Sequence, residues 1–204
     1  MVDERTQAFY AANAKSVAEQ HHSIESPSEA FFAEAFPPFA RVFDLGTGSG
    51  RDLALLLEGG WDAFGLEPSE ELRRCALERH PRLEGRLFAG SLPEDLPDEL
   101  LEEPFEGLLC SAVLQHLPLE DLPAAAKTLA RLLAPEGRLL ISLPVDRPVD
   151  DQRRDRFDRL FSGLRADALA ALLAPRGLRE LRREHSRDAL GRDHTTWVTL
   201  LFER

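Results

Sequence analysis

The sequence predicts an α/β fold: a doubly wound, mostly parallel sheet of about seven strands, with an antiparallel C-terminal strand and helices on both faces. Three observations predict it. Short apolar runs alternate with helix-like segments of crossover length, which implies parallel pairing through right-handed connections. The first such run stops at Gly46, Gly48 and Gly50 before a leucine-rich helix, giving strand, glycine turn, helix. The last two strand-like runs have no helical pattern between them and so suit an antiparallel hairpin.

Element by element, residues 4 to 22 place Phe9, Tyr10, Ala14, Val17 and Ala18 at loosely helical spacing, so one weakly amphipathic helix is expected, a candidate lid. Ser26, Pro27 and Glu29 read as cap, first-turn proline and capping-box acid for a helix carrying Phe31, Phe32 and Phe36, stopped by Pro37 and Pro38. Val42, Phe43 and Leu45 form the first strand, interrupted by Asp44, and Leu53 to Leu57 the following helix. A second strand, Ala63 to Leu66, ends on Glu67. Ser69 caps a helix through Arg79, a strand covers about Gly85 to Ala89, and Pro93 to Pro104 holds one short helix. Phe105 to Val113 is the fourth strand, Ala124 to Leu133 an apolar helix, and Arg138 to Leu143 a fifth strand ended by Pro144. After a charged loop of about 145–163 come a helix, Ala166 to Leu173, and strands near Leu178 to Glu184 and Thr196 to Phe202. Within that loop Phe157, Leu160 and Phe161 fall at helical spacing, so a short helix over the sheet edge is favoured over a substrate lid.

At 204 residues the chain suits one domain, since ~100–200 residues is the usual size. The division expected is an N-terminal helical cap (1–38), a ligand-binding core (39–144) and a C-terminal lid, helix and hairpin (145–204). The balance of 36 acidic against 25 basic residues, a net charge of −11, argues against a broad nucleic-acid face. Cys75 and Cys110 lack CxxC spacing and read as reduced core thiols. The polar N-terminus has no signal-peptide character, and no run approaches the ~18 apolar residues of a membrane helix; a cytoplasmic location is expected. His21 and His22 are adjacent, so they cannot share a helix face; a solvated pair is expected rather than a metal site.

In such a sheet ligands bind outside the carboxyl ends of the strands, where strand order reverses, and the Gly46–Gly50 loop sits there. Glycines allow close backbone approach, and exposed N–H groups at the helix start can hold an anion or carboxylate. Glu67 can accept two hydrogen bonds from vicinal ribose hydroxyls. A dinucleotide site wants G-x-G-x-x-G. This sequence puts Arg51 where a small residue should stand, and Asp44, two residues before the first glycine, repels a diphosphate but suits an ammonium group.

The D-L-G-T-G-S-G run, followed 17 residues later by Glu67, resembles motif I and the strand-two acid of class I S-adenosylmethionine-dependent methyltransferases. Three more segments extend the resemblance over about residues 40 to 144: FAGSLPEDLP (88–97), FEGLLCSAVLQHLP (105–118) and LARLLAPEGRLLISLP (129–144). The C-terminal RDALGRDHTTWVTLLFER is similar to the ending of a subgroup of mostly uncharacterised bacterial members. The resemblance implies a Rossmann-like fold, S-adenosyl-L-methionine as cofactor and S-adenosyl-L-homocysteine as product. It implies that Gly46, Thr47 and Gly48 line the methionine moiety, Asp44 reaches its amine, Glu67 holds the ribose, and Pro68 flanks the adenine. Ser91 and Leu92 stand where the family often has an aspartate touching the adenine amine, and serine is a departure. Cys110 and Ser111 would offer backbone carbonyls to the ammonium group.

Methyl transfer needs a general base only when the nucleophile is protonated. His116, in the turn after the fourth strand, is the candidate catalytic residue, although the family often carries a histidine or aromatic there for structural reasons. The acceptor expected is an unidentified small molecule. RNA methylation and a non-catalytic S-adenosylmethionine-binding module are the alternatives, the first motivated by Arg176, Arg179, Arg182, Arg183, Arg187 and Arg192, which read more simply as charges alternating with Glu180 and Glu184 on an exposed edge. A nicotinamide-dependent oxidoreductase shares only the fold. The acceptor pocket depends on whether Tyr10, His116 and Arg147 face the glycine loop.

Overall fold

Seven strands form one sheet: β1 (Arg41–Leu45), β2 (Asp62–Glu67), β3 (Leu87–Ala89), β4 (Phe105–Ser111), β5 (Leu133–Asp146), β6 (Arg179–Arg187) and β7 (Thr196–Glu203), in the order β3-β2-β1-β4-β5-β7-β6. This computed structural model describes residues 3–204; Met1 and Val2, with which the expected N-terminal cap begins, lie outside the described residues. β1 to β5 pair in parallel, whereas β7 inserts antiparallel between β5 and β6. The expected hairpin is therefore present, with its second strand on the inside. Strand order reverses at β1, which pairs with β2 on one side and β4 on the other.

Both faces of the sheet are covered because alternate strand residues are apolar in both directions. Phe43, Leu45, Leu108 and Ile141 pack in one layer with α6 (Leu122–Leu132) and α7 (Ala166–Leu173). Val42, Ala63, Leu109 and Leu140 pack in the other with α3 (Glu29–Ala35) and α4 (Arg51–Glu58). Fully buried leucines of this kind contribute about 1.5–3 kcal/mol each. Loop approach to the sheet is set at Gly65: a Cβ there would lie 2.4 Å from Thr47 Oγ1 and 2.6 Å from Leu53 Cδ2. The helix α5 (Glu70–Arg79) starts as expected, Ser69 Oγ accepting from the Leu72 amide at 3.2 Å. Among the described residues no helix is long and apolar enough to cross a membrane.

Five local expectations are corrected. The helix over residues 4–22 is two helices, α1 (Glu4–Ala12) and α2 (Ala14–His22), because Asn13 leaves helical geometry and its amide and side chain both donate to Phe9 O. Ser26 is not the cap of α3; Ser28 is, and the Ser26 hydroxyl accepts from the Ser28 amide. β3 is shorter than expected. β5 passes through Pro144, which faces Trp197 on β7, and a register shift follows before Asp146. A proline is tolerated there at the strand's last paired positions. Residues 145–163 contain no helix: the segment folds on Asp155, whose Oδ1 accepts from the Phe157 and Arg159 amides at 3.0 and 3.1 Å.

Candidate functional site

At the carboxyl ends of β1, β2 and β4 lies a cavity of about 1010 Å³, the upper end of the size range for small-molecule sites. The glycine loop forms its floor. Gly46 and Thr47 both donate to Leu66 O, at 2.7 and 2.9 Å, which lashes the loop to β2. Gly46 has φ +78° and a Cβ on it would meet Val113 Cγ2 at 2.4 Å, so both its conformation and its neighbour require glycine.

Glu67 fixes the other half of the loop. Its Oε2 accepts from the Gly48 amide and its Oε1 from the Ser69 amide, both at 2.9 Å. Burial pushes its pKa up to about 7, against the pull of those two amides. The loop's own amides are already engaged: those of Gly46, Thr47, Gly48 and Gly50 are all bonded within the loop or to β2 and Glu67. Asp44 sits beside Glu67 on the lining with its Oδ2 buried and without a partner. Burial, and then the nearby Asp52 carboxylate, raise its pKa well above the usual carboxylate range. A buried orphan acceptor next to an ionisable acid is a seat for a cationic donor group.

Pro68, Ser91, Leu92 and Ser111 also line the cavity, as does Thr47. The Ser91 backbone is paired with Asp95 in both directions, at 2.7 and 3.0 Å. The Ser111 hydroxyl lies between those of Ser28 (3.1 Å) and Ser142 (3.0 Å). Cys110 is corrected: it is fully buried in the core and not on the lining, which begins at its neighbour Ser111.

Tyr10, His116 and Arg147 all face the cavity. His116 Nδ1 lies 2.7 Å from Leu160 O and so carries the proton, leaving Nε2 to accept from the Tyr10 hydroxyl at 3.1 Å. Burial depresses the His116 pKa to about 4, with the Arg159 and Arg147 charges acting in the same direction. Arg159 donates to the Tyr10 hydroxyl at 3.3 Å and to Asp155 Oδ2 through Nη2 (2.6 Å) and Nε (3.1 Å); Arg147 Nη2 reaches the same oxygen at 2.8 Å.

Two chain segments close over the site and are fastened to each other. Arg154 holds Asp3 through two bonds of 3.0 and 2.7 Å, and Thr6 Oγ1 accepts from the Leu160 amide at 2.8 Å. This corrects the reading of 145–163 as edge packing, because the segment and α1 together form the cavity roof. The histidine pair is corrected as well. Arg51 Nη1 donates to His21 O at 2.9 Å, His22 Nε2 lies 3.3 Å from Ser49 O, and His21 packs above Gly48, so α2 ends on the glycine loop rather than in solvent.

Sequence reasoning missed Asp155, Arg159 and the Asp188–Arg192 pair. Arg192 grips Asp188 through Nε (3.0 Å) and Nη2 (2.5 Å) in the β6–β7 loop that lines the cavity's far wall. Both Asp/Arg pairs have i, i+4 spacing, a signal drowned by the many other charges in those loops.

The strand order, with the glycine loop and the acidic end of β2 at its reversal point, defines a doubly wound α/β protein whose cavity lies at the usual ligand position of that fold. The family model described as methyltransferase domain matches residues 18–192, and the chain belongs to that family. It is 29% identical over 104 residues to an uncharacterized methyltransferase of Staphylococcus carnosus, covering 50% of this chain and 45% of the relative. It is 29% identical over 140 residues to a protein-L-isoaspartate O-methyltransferase of Gloeobacter violaceus, covering 66% of this chain and 62% of the relative. The chain thus spans less than two thirds of the length of either. Among solved structures, 1,6-didemethyltoxoflavin-N1-methyltransferase of Burkholderia thailandensis, crystallised with 1,6-didemethyltoxoflavin and S-adenosylhomocysteine, superposes with a TM-score of 0.72 at 19% identity, over 98% of this chain and 87% of the other.

Proposed function

We propose that this protein transfers the methyl group of S-adenosylmethionine to a small-molecule acceptor. The observation that carries the reading is the pairing of Asp44 and Glu67 across the glycine loop. Asp44 keeps a buried, unpartnered oxygen for the donor's ammonium group. Glu67, already holding Gly48 and Ser69, has lone pairs left for two ribose hydroxyls. When bound, S-adenosylmethionine supplies an electrophilic methyl group. The chain's own part is to orient the two molecules and to exclude water.

Gly46, Thr47 and Gly48 are assigned to the methionine moiety, Ser111 to its ammonium group, Pro68, Ser91 and Leu92 to the adenine. His116 is assigned to positioning Tyr10 rather than to proton abstraction, since its Nε2 is engaged and the adjacent guanidinium groups oppose an imidazolium. A small acceptor fits the roofed cavity better than a polynucleotide does. Three of the four β6 arginines that motivated an RNA surface are paired: Arg179 with Glu203 (3.2 Å), Arg182 with Glu184 (2.5 Å), and Arg183 with Glu180 (2.8 Å) and Asp167 (2.6 Å).

The test is S-adenosylhomocysteine formation from S-adenosylmethionine across a panel of small acids, phenols, amines and thiols, with transfer RNA included. Turnover of one or more small molecules is expected. Turnover of RNA alone refutes the acceptor class, and donor binding without turnover of anything favours a non-catalytic binding module.

A further inference from the structure

The cavity is sorted by charge. Its donor end carries Asp44, Asp52 and Glu67 against Arg51. At the opposite end, beneath the roof, two guanidinium groups share one carboxylate: Arg147 and Arg159 both bind Asp155 Oδ2. One positive charge is therefore uncompensated. Arg159 also donates to Tyr10 and lies against the rings of Phe9 (4.6 Å), Phe161 (5.5 Å) and Phe157 (5.6 Å), but Arg147 makes a single hydrogen bond among the described residues and leaves its Nε buried without a partner. The groups facing them do not supply the missing charge. His116 is neutral, Tyr10 is a hydroxyl and Arg192 is matched by Asp188; on this side of the lining the cations Arg147, Arg156, Arg159, Arg187 and Arg192 still outnumber the anions Asp155, Asp188 and Asp193. A desolvated, half-compensated guanidinium is costly unless an anion completes it.

The walls around this charge are aromatic. Phe161 stands under Arg147, 4.2 Å from guanidinium carbon to ring centroid, and edge-on to His116 at 4.8 Å; Phe9 and Phe157 lie 5.3 Å apart above. Gln115, also on the lining, has a buried Oε1 with no donor.

We propose that the acceptor is a planar aromatic acid whose carboxylate is bound by Arg147 and whose ring extends from there into the open cavity, beside the Arg159 guanidinium that already fills the space among Phe9, Phe157 and Phe161. Gln115 Oε1 takes a hydroxyl or amino hydrogen on that ring. The inference rests on the donor reading above and names the acceptor class for the same cavity.

Calorimetry on the full chain saturated with S-adenosylhomocysteine tests it, using benzoate, 4-hydroxybenzoate, benzamide and benzylamine as probes. Benzoate is expected to bind at least about tenfold more tightly than benzamide, and benzylamine more weakly still. Arg147→Gln should abolish the benzoate preference, while Arg147→Lys retains part of it by keeping the charge without the planar fork. Equal or tighter binding of benzamide or benzylamine, or an undiminished preference in Arg147→Gln, overturns the proposal. So does the absence of benzoate binding at about 10 mM, where sub-millimolar affinity is expected for a buried ion pair with ring burial. If Arg147→Gln fails to fold, the probe ranking on the natural chain decides alone. Failure of S-adenosylhomocysteine to bind refutes the donor reading instead; the same probes titrated into the free protein then still decide the acid site.

Discussion

Replacing Glu67 with alanine removes the acceptor for both the Gly48 and Ser69 amides and the proposed partner of the ribose. Two hydrogen bonds from ribose hydroxyls to a carboxylate are worth ~1.5 kcal/mol each at the low end, or ~3 kcal/mol together, which is roughly 150-fold in dissociation constant. The two stranded amides cost a further ~1 kcal/mol each if water reaches them, lowering Tm by roughly 4–8 °C in a chain of this size. Calorimetry with S-adenosylhomocysteine reads the first quantity and differential scanning calorimetry the second. Glu67→Gln separates the two, because it keeps one amide acceptor but turns a donor toward the ribose or the loop. A lowered Tm with ligand affinity within about threefold of the natural chain would show that Glu67 only splints the loop, and would refute its assignment to the ribose.

Other outcomes follow from the same geometry. With the Glu67 pKa near 7, S-adenosylhomocysteine affinity should weaken as pH falls through that value, and Glu67→Gln should flatten the profile; calorimetry in matched buffers reads it. His116, held neutral with a pKa of about 4, contributes stability that is complete above its unfolded value of 6.5 and is lost as pH falls through 4. Glu67, with its pKa raised from 4.5, contributes stability complete below 4.5 and lost as pH rises through 7. The two slopes oppose each other, and His21, also depressed to about 4 by burial, adds to the first while Asp44 adds to the second, so the diagnostic is the difference between two chains: His116→Asn should grow more stable relative to the natural chain toward acid in urea midpoints, and a pH-independent difference contradicts the assignment. Asp3→Ala unfastens α1 from Arg154 and removes the helix's N-cap on the Thr6 amide, so stopped-flow displacement should show S-adenosylhomocysteine leaving about three to tenfold faster, with Tm lowered by ~2–4 °C.

The sheet was legible because the strands nearest the site, β1, β2 and β4, are short runs largely buried on both faces, and helical patterns separate most of the parallel strands, one of them marked by the cap at Ser69. The donor half of the site was legible for a related reason: Gly46, Asp44 and Glu67 are fixed by the local geometry of one strand–turn–helix and its neighbour, within 24 positions from 44 to 67. The roof was not. Phe157, Leu160 and Phe161 have helical spacing, yet the segment obeys Asp155, whose side chain is 3% exposed and captures two arginines and two backbone amides. Such a polar nucleus leaves no periodic signal. The seating of His21 on Gly48 depends on a partner 27 residues away, which spacing within α2 cannot reveal, and the break at Asn13 turns on its side-chain bond to Phe9 O, which leaves no mark in the apolar spacing.

The most direct test of the account is a calorimetric titration of S-adenosylhomocysteine into the folded chain, with NAD as control. One molecule bound per chain, in the micromolar range typical of a nucleoside held by a carboxylate and a glycine loop, is the predicted result. No heat at about 1 mM S-adenosylhomocysteine, or tighter binding of NAD, contradicts it.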